Sequence, residues 1–383
     1  MKCFLKVLYM NTSWSIFNFR LELIRHLAAK GYYIEIISPE DVYSDKLREL
    51  GFIVHDIKMA SSNISPLTDL VSLFNYTALL LKIKPDYYLG FTAKPNIYGG
   101  YIAALLGIRV VNNIAGLGRT FSNKGVLQSL MQFMYRIGLS KSYHVFFQNK
   151  DDLALFESNK LIGKGARSIL PGSGVNTERF NPKIPQHHTY SLTSVGVNGS
   201  LKAKFTFLFS ARLLLEKGIR EYIHAAREVC REFQYIEFQV LGKHTGSAAE
   251  IPIDELEKAC SEGVIKYLGT TDDVVSVLHG ADCFVLPSYY REGVPRSLLE
   301  AGSCGLPLIT TDSVGCREAV IHGINGFLVM PQNYASLTDA IKKMILLTHN
   351  DVRYMGEASR QYMINNFSEE LVFEKYERVL QGE

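Results

Sequence analysis

Two glutamates are the residues best placed to do chemistry in this chain. They stand in YYREGVPRSLLEAGSCGLPLITTD (289–312), where Glu292 precedes a Gly-Val-Pro turn and Glu300 lies eight positions further on. Pro295 is favourable in the first turn of a helix, so the spacing predicts a helix from about Pro295 to Ser303, with Glu292 in the preceding loop. A carboxylate accepts several hydrogen bonds, which suits the vicinal hydroxyls of a ribose or hexose.

The residues around that turn could hold a sugar or a phosphate. Backbone amides near Gly293 and Val294 can contact sugar and phosphate oxygens, and a glycine lets the chain approach a ligand closely. With Pro295, Arg296 and Ser297 they form the predicted substrate-binding wall. For either glutamate taken alone, a helix cap or a surface acid explains the residue equally well.

A second motif places two cations at the end of a strand. In SARLLLEKGIREYIHAA (210–226), a β-run ends near Arg212, and Lys217 with Gly218 opens a helix. Two cations and the free N–H groups of a helix N-terminus are suited to a diphosphate. The alternative is that both are ordinary surface charges.

The elements that carry these motifs alternate between strands and helices. The predicted strands are 4–10, 32–38, 52–57, 87–91, 109–115, 144–149, 206–213, 236–242, 264–269, 283–288, 306–312 and 326–330. Helical periodicity between them indicates βαβ units and parallel sheets.

The domain organisation follows from an interruption of this alternation. Residues 183–203 lack periodicity and are rich in Pro, Gly, Ser and Thr, which predicts a linker. The predicted architecture is therefore α/β, with two Rossmann-like domains, 1–182 and 204–365, facing each other across a cleft. A last helix, 366–383, is expected to pack back on the first domain. Ligands bind beyond the carboxyl ends of strands in such sheets, so the cleft is the expected site.

Composition indicates a folded, water-soluble protein. The 383 residues are 47% hydrophobic and 21% charged, and no run approaches the roughly 20 apolar residues of a membrane-spanning helix. The apolar part of the N-terminus is too short for a signal peptide. The six cysteines form no C-x-x-C pair, so we expect reduced thiols in a cytoplasmic protein.

Charge is divided unevenly along the chain. Residues 1–182 contain 21 Lys and Arg against 13 Asp and Glu, a net charge of +8, and residues 183–383 contain 20 against 25, a net charge of −5. The basic half suggests an anionic partner, although uneven solvated charge is the simpler alternative. Apolar helical stretches with basic ends, at 70–84 and 126–142, favour either core helices or a face for an anionic membrane surface. No nucleic-acid-binding module is present, so nucleic acid is not expected.

The order of the C-terminal motifs resembles a known family. RLLLEKGIREYI, YLGTTDDVVSVLHGADCFVLPSYYREGVPRSLLEAGSCGLPLITTD and NGFLV are similar to the nucleotide-sugar domain of family 4 retaining glycosyltransferases, which have the GT-B fold. Glu292 and Glu300 match the family's paired glutamates, which are separated by seven residues. FTAKPNIYGGYIAALLGI and VNNIAGLGRTF resemble members that extend polyprenyl-diphosphate-linked sugars in O-antigen, capsule or protein-glycan assembly, including bacterial N-acetylgalactosaminyltransferases.

The resemblance implies a role for each matched residue. Arg212 and Lys217 would neutralise the departing diphosphate, Glu292 would hold hydroxyls of the donor sugar, and Glu300 those of the ribose. The acceptor hydroxyl would attack on the face that the nucleotide leaves, and a leaving phosphate oxygen would take its proton. The implied donor is a UDP-sugar and the implied acceptor a lipid-linked saccharide, with no cofactor, at the inner face of the cytoplasmic membrane.

One part of the family pattern is missing. Many members place a histidine after the strand that corresponds to 109–115, but this chain has Asn113 followed by Gly116-Leu117-Gly118. We expect Asn113, the backbone of Gly116 and Gly118, and Lys94 to contact substrate there. GLGRTF imitates a dinucleotide-binding motif, but Phe121 replaces its last glycine, which argues against a dehydrogenase. No D-x-D pair exists in the chain, so we expect no metal requirement.

Two other functions remain open. A nucleotide-sugar epimerase or hydrolase of the same fold would need its own acid/base pair, and none is assignable. A non-catalytic protein that binds nucleotide sugars would not need all four of Arg212, Lys217, Glu292 and Glu300.

Overall fold

The protein consists of two compact α/β units. The computed structural model describes residues 6–57, 66–118, 121, 125–182 and 204–383. Unit 1 comprises Met1–Ser173 and Glu369–Glu383, and unit 2 comprises Gly174–Ser368. The predicted linker, 183–203, lies outside the described residues.

Unit 1 is built on a seven-stranded sheet with the order β3-β2-β1-β4-β5-β6-β7. Every pair of neighbours is parallel. The strands are β1 Lys6–Met10, β2 Tyr33–Ser38, β3 Ile53–Asp56, β4 Tyr87–Phe91, β5 Arg109–Ile114, β6 His144–Phe147 and β7 Ala166–Ile169. The first six fall within the predicted runs. The sequence does not predict β7, because this edge strand reads ARSI and has no apolar run.

Helices cover both faces of this sheet, as the alternation along β4 shows. Tyr87 and Leu89 face a core that includes residues of α1 Ser13–Phe19, α2 Leu21–Ala29, α3 Val42–Glu49 and the C-terminal helix Glu369–Gln381. Tyr88 faces the other side, with α4 Pro66–Ile83 and α5 Gly100–Leu105. The same side also carries α6 Val126–Gly138 and α7 Lys150–Ser158.

Unit 2 has a six-stranded parallel sheet with the order β10-β9-β8-β11-β12-β13. The strands are β8 Phe205–Ser210, β9 Ile236–Leu241, β10 Lys266–Gly269, β11 Cys283–Leu286, β12 Leu308–Thr311 and β13 Gly326–Val329. All fall within predicted runs, except that β8 begins one residue before its run. The helices are α8 Ile219–Glu232, α9 Ile253–Ser261, α10 Val274–Leu278, α11 Arg296–Ser303, α12 Tyr334–Leu346 and α13 His349–Phe367; the C-terminal helix is α14. They surround one continuous apolar core.

The boundary between the units differs from the predicted one. The predicted first domain runs to residue 182, but Gly174 begins unit 2. The segment after it is held there, because the Val175 amide donates to the Phe367 carbonyl at 2.8 Å and Phe180 is buried in the unit 2 core. The Arg360 guanidinium also donates to the Phe180 carbonyl at 2.9 Å. For the same reason unit 2 extends to Ser368 rather than 365, and the C-terminal helix of unit 1 begins at Glu369 rather than 366.

The two apolar stretches with basic ends are both helical. Residues 70–84 fall on α4 and the turn after it, and residues 126–142 on α6 and the turn after it. Among the described residues, no helix combines the length and the apolar character needed to cross a bilayer.

Candidate active site

Two loops at the carboxyl edge of the unit 2 sheet carry most of the predicted site residues. β8 leads to Arg212 and a 3-10 turn, Leu215–Lys217, and β11 leads to Ser288 and Glu292. β8 and β11 are neighbours, and the strand order runs in opposite directions on either side of them. Such a switch point opens a crevice at the strand ends, where ligands of doubly wound sheets bind.

Lys217 and Glu292 meet in this crevice as an ion pair. Lys217 Nζ lies 2.5 Å from Glu292 Oε2, and Lys217 is only 8% exposed. Ser288 Oγ donates to the other carboxylate oxygen, Oε1, at 2.8 Å. The Lys217 ammonium also lies 5.6 Å from the centre of the Tyr290 ring. A buried ion pair needs such additional contacts, because they offset part of its desolvation cost.

Backbone contacts hold the two loops together. The carbonyl of Glu216 accepts hydrogen bonds from the amides of Tyr289 and Tyr290 at 3.0 and 3.1 Å. Gly218 has a φ of +80°, and a Cβ there would lie 2.2 Å from the carbonyl oxygen of Pro287. Only glycine fits this position, so the Lys-Gly sequence brings the lysine against the β11 loop.

The loop after β12 closes against the same turn. A Cβ on Gly315 would lie 1.6 Å from the Gly293 carbonyl oxygen, so these two backbones are in direct contact. The Ser288 carbonyl accepts a hydrogen bond from Ser313 Oγ at 2.9 Å. Burial, followed by the nearby Glu292 carboxylate, raises the pKa of the Cys316 thiol to about 11. This thiol is therefore protonated at neutral pH and is not a nucleophile.

Glu300 lies one turn into α11, as the sequence predicts. Pro295 is the N-cap residue, and the helix spans Arg296–Ser303. Arg296 Nε donates to Glu300 Oε1 at 2.9 Å. Burial raises the pKa of the Glu300 carboxyl above its usual value, although the Arg296 charge opposes that shift. The carboxylate thus already has one cationic partner, and Ser297 lies half-buried beside it in the first turn.

Arg212 differs from Lys217 in its surroundings. Its side chain is exposed, and within the described ranges no side chain or carbonyl pairs with its guanidinium. It lies just after β8, on the chain that leads to Lys217. Of the two predicted cations, Arg212 is therefore exposed, whereas Lys217 is buried and paired.

The remaining predicted residues lie in unit 1. Asn113 is buried at the end of β5, and its Nδ2 donates to Tyr376 Oη at 2.9 Å. Gly116 and Gly118 follow β5 with φ angles of 107° and 60°, which favour glycine. Lys94 precedes a π-helix, Pro95–Gly99, that follows β4. Asn113 lies within β5, and the other three residues follow β4 or β5, which are neighbours in their own sheet, so all four lie at its carboxyl edge.

Sequence reasoning missed the residues that brace the ion pair. Ser288 and Tyr290 contact Glu292 and Lys217, yet neither type is unusual after a strand. The available signal is position, because both follow the apolar run CFVL that forms β11.

In the part of the chain that the structure describes, no group of three His, Cys, Asp or Glu side chains is arranged to hold a metal ion.

Family models match both halves of the chain. The model described as "Glycosyl transferases group 1" matches residues 194–362. The model described as "Glycosyl transferase 4-like" matches residues 6–149.

Similar proteins include enzymes of lipid-linked glycan assembly. The N,N'-diacetylbacillosaminyl-diphospho-undecaprenol alpha-1,3-N-acetylgalactosaminyltransferase of Campylobacter jejuni is 26% identical over 378 residues, 96% of this chain and 97% of that protein. The UDP-Gal:alpha-D-GlcNAc-diphosphoundecaprenol alpha-1,3-galactosyltransferase of Escherichia coli is 24% identical over 80% of this chain and 78% of its own.

Solved structures share the architecture of the whole chain. A glycosyltransferase from Rickettsia africae has a TM-score of 0.78 at 19% identity, covering 98% of this chain and 97% of its own. The Anabaena protein HepE in complex with UDP has a TM-score of 0.77 at 18% identity, covering 99% of this chain and 100% of its own. With two parallel-sheet units, both family models and these structural neighbours, the chain is a glycosyltransferase of GT-B fold that combines a 4-like domain with a group 1 domain.

Proposed function

We propose that the protein transfers a hexose or N-acetylhexosamine from a UDP-sugar to a polyprenyl-diphosphate-linked saccharide, with retention of anomeric configuration. The reaction would extend a glycan during assembly of a cell-surface polysaccharide or a protein-linked glycan. The observation that carries the proposal is the Lys217–Glu292 ion pair at the switch point of unit 2.

The ion pair suits a donor whose diphosphate and sugar bind side by side. In the proposed complex, Lys217 faces the diphosphate while its partner Glu292 accepts hydroxyls of the sugar. Among the described residues Arg212 has no partner, so it can meet a phosphate oxygen directly. Backbone amides of Gly293 and Val294, in the turn before α11, would complete the anion-binding wall.

Catalysis would then be mainly electrostatic. Two cations stabilise the negative charge that develops on the departing diphosphate. A leaving phosphate oxygen takes the proton of the attacking hydroxyl, so no side chain need act as nucleophile or base. Burial of the ion pair fixes the positions of these charges before the reaction begins.

The acceptor and stereochemistry are proposed from the relatives. Both named relatives act on sugars linked to diphosphate and undecaprenol, and both form alpha-1,3 linkages. A retaining reaction gives that configuration when the donor sugar is α-linked to its diphosphate. We therefore place the protein at the inner face of the cytoplasmic membrane, bound peripherally to an anionic lipid surface.

No cofactor enters the proposed reaction. The sequence has no D-x-D pair to hold a diphosphate through a divalent cation, and Arg212 and Lys217 are placed to supply that positive charge.

The test is to incubate the purified protein with membrane lipid extract and labelled UDP-GalNAc, UDP-GlcNAc, UDP-Gal or UDP-Glc. We expect label on lipid with one donor. A free, altered sugar would indicate an epimerase or hydrolase, and binding without turnover would indicate a nucleotide-sugar-binding protein. Either result would overturn the proposal.

A further inference from the structure

Helix α6 of unit 1 exposes a continuous apolar face. Val126, Leu127, Leu130, Phe133 and Ile137 recur at helical spacing, and all five are exposed, Val126 by 89% and Phe133 by 57%. The opposite side of the helix is anchored, because Tyr135 is buried in a core cluster of unit 1. Exposed apolar side chains that are grouped on one face mark an interaction surface, whereas scattered ones do not.

The neighbouring helices extend this face. α4 exposes Val71, Phe74 and Leu81, with Phe74 75% exposed, and the end of α5 exposes Leu105 and Leu106. α4 contacts α5, and α5 contacts α6, on one side of the sheet. On the other side, within the described residues of unit 1, the helices α1, α2 and α3 and the residue that ends α3 expose three large apolar residues, Trp14, Val42 and Leu50. The larger group of exposed apolar side chains therefore lies on the side of α4, α5 and α6.

Cations outnumber acids around this face. Residues 66–150, which include α4, α5 and α6, contain nine Lys and Arg and two acids, Asp69 and Asp86. Lys82 and Lys84 at the end of α4, and Arg136 and Lys141 at the end of α6, are all exposed. Apolar side chains flanked by cations are typical of helices that lie in the interfacial region of an anionic bilayer.

We propose that the α4–α6 face, defined by the exposed apolar residues of α4, α5 and α6, inserts shallowly into an anionic lipid bilayer, with α6 entering through Leu127, Leu130 and Phe133. The excess of cations favours lipid over a second copy of the chain. In a symmetric dimer each patch meets itself, so this face would oppose cations to cations. The inference deepens the proposed membrane association by assigning its surface, and its test needs neither donor nor acceptor.

A tryptophan placed on the face tests insertion directly. The chain has one tryptophan, Trp14, which is exposed on α1 on the other side of the sheet. In the double variant Trp14→Phe with Phe133→Trp, fluorescence should shift to the blue on phosphatidylglycerol vesicles and be quenched by brominated lipid. Trp14 in the unchanged protein should respond to neither. If the tryptophan at position 133 gave no shift and no quenching, shallow insertion of α6 would be ruled out.

Matched triple variants test whether the face drives binding. Leu127→Ser, Leu130→Ser and Phe133→Ser together should lower cosedimentation with these vesicles by about tenfold or more, because the inserted apolar area is lost. The control changes three exposed apolar residues elsewhere, Val42→Ser, Ile253→Ser and Leu346→Ser, and should bind like the unchanged protein.

Two results would overturn the proposal. One is unchanged vesicle binding by the α6 triple variant. The other is a protein that is dimeric in sedimentation velocity without lipid, and monomeric only in the α6 triple variant, because the face would then bind a second copy. Circular dichroism should show that both triple variants are folded, since all six side chains are exposed.

Discussion

Two cations that have different surroundings are proposed to stabilise the departing diphosphate. Arg212 is exposed, and Lys217 is buried against Glu292. We predict that Arg212→Ala and Lys217→Ala each lower kcat by about 100-fold, because each removes roughly 3 kcal/mol of charge stabilisation from the transition state. Steady-state kinetics with the donor identified by the screen would measure both effects.

Stability separates the two variants. Arg212→Ala should unfold like the unchanged protein, since no described residue pairs with it. Lys217→Ala leaves Glu292 without its cation and should cost about 3 kcal/mol or more. The double variant Lys217→Met with Glu292→Gln should recover part of that stability and no activity. Normal turnover in a folded Arg212→Ala or Lys217→Met protein would remove that residue from the diphosphate site.

Arg212 and Lys217 also bear on whether the transfer reaction needs a metal ion. We predict that EDTA leaves transfer largely intact, because Arg212 and Lys217 are proposed to supply the positive charge. The measurement is the initial rate of transfer before and after chelation. Loss of activity that Mg²⁺ or Mn²⁺ restores would show that the diphosphate is held through a metal ion.

Sequence reasoning identified the ionisable residues of the site but not their pairing. Lys217 and Glu292 were chosen from residue type and from position at a strand end, each within its own motif. Their contact depends on β8 and β11 being neighbours, and a local pattern does not reveal strand order. Ser288 and Tyr290 were missed because their role exists only once that contact forms.

At the scale of elements, the C-terminal helix offers a sharp test of unit 1. Tyr376 on α14 is buried, and its hydroxyl accepts a hydrogen bond from Asn113 on β5. Tyr376→Phe should lower the stability of unit 1 by about 1–2 kcal/mol, because the Asn113 amide loses a buried partner. Trp14, the single tryptophan, lies in the same unit, so its fluorescence in urea reports this transition.

A matched tyrosine in unit 2 supplies the control. Tyr222 is equally buried and donates to the Phe207 carbonyl at 2.8 Å. Tyr222→Phe should leave the Trp14 transition in place, since the residue belongs to the other unit. Equal shifts from both variants would contradict the assignment of α14 to unit 1.

Apolar runs predicted most of the elements, for a physical reason. Strands covered on both faces are apolar over most of their length, and twelve of the thirteen strands overlap such runs. The sequence does not predict β7, because an edge strand can be polar. It does not predict the boundary at Gly174 either, because long-range contacts, such as that of Arg360 with the Phe180 carbonyl, set this boundary.

At the scale of the whole molecule, the charge asymmetry makes a prediction about salt. Lys82, Lys84, Arg136 and Lys141 near an anionic surface should each contribute on the order of 1 kcal/mol, screened by salt. The protein should cosediment with anionic vesicles, bind neutral ones weakly and be released by high salt. Changing all four to Gln should lower this binding and the use of long-chain acceptors, while binding of the UDP-sugar donor persists.

The control for that variant changes four exposed cations of unit 2 to Gln, namely Lys204, Lys258, Lys266 and Arg353. It has the same net charge as the first variant and should bind vesicles normally. Equal binding of the unchanged protein to neutral and anionic vesicles would contradict an anionic membrane as the partner of the basic half.

The proposed reaction transfers a sugar, with retention, from a UDP-sugar to a lipid-diphosphate saccharide. The most direct measurement is the proton NMR spectrum of the lipid-linked product made from the donor that the screen selects. We predict one new sugar whose anomeric proton shows the small coupling of an α linkage, and about 100-fold less of it from the Lys217→Met protein in the same time. A large coupling, typical of a β linkage, or an equal initial rate of product formation by Lys217→Met would contradict the proposed reaction.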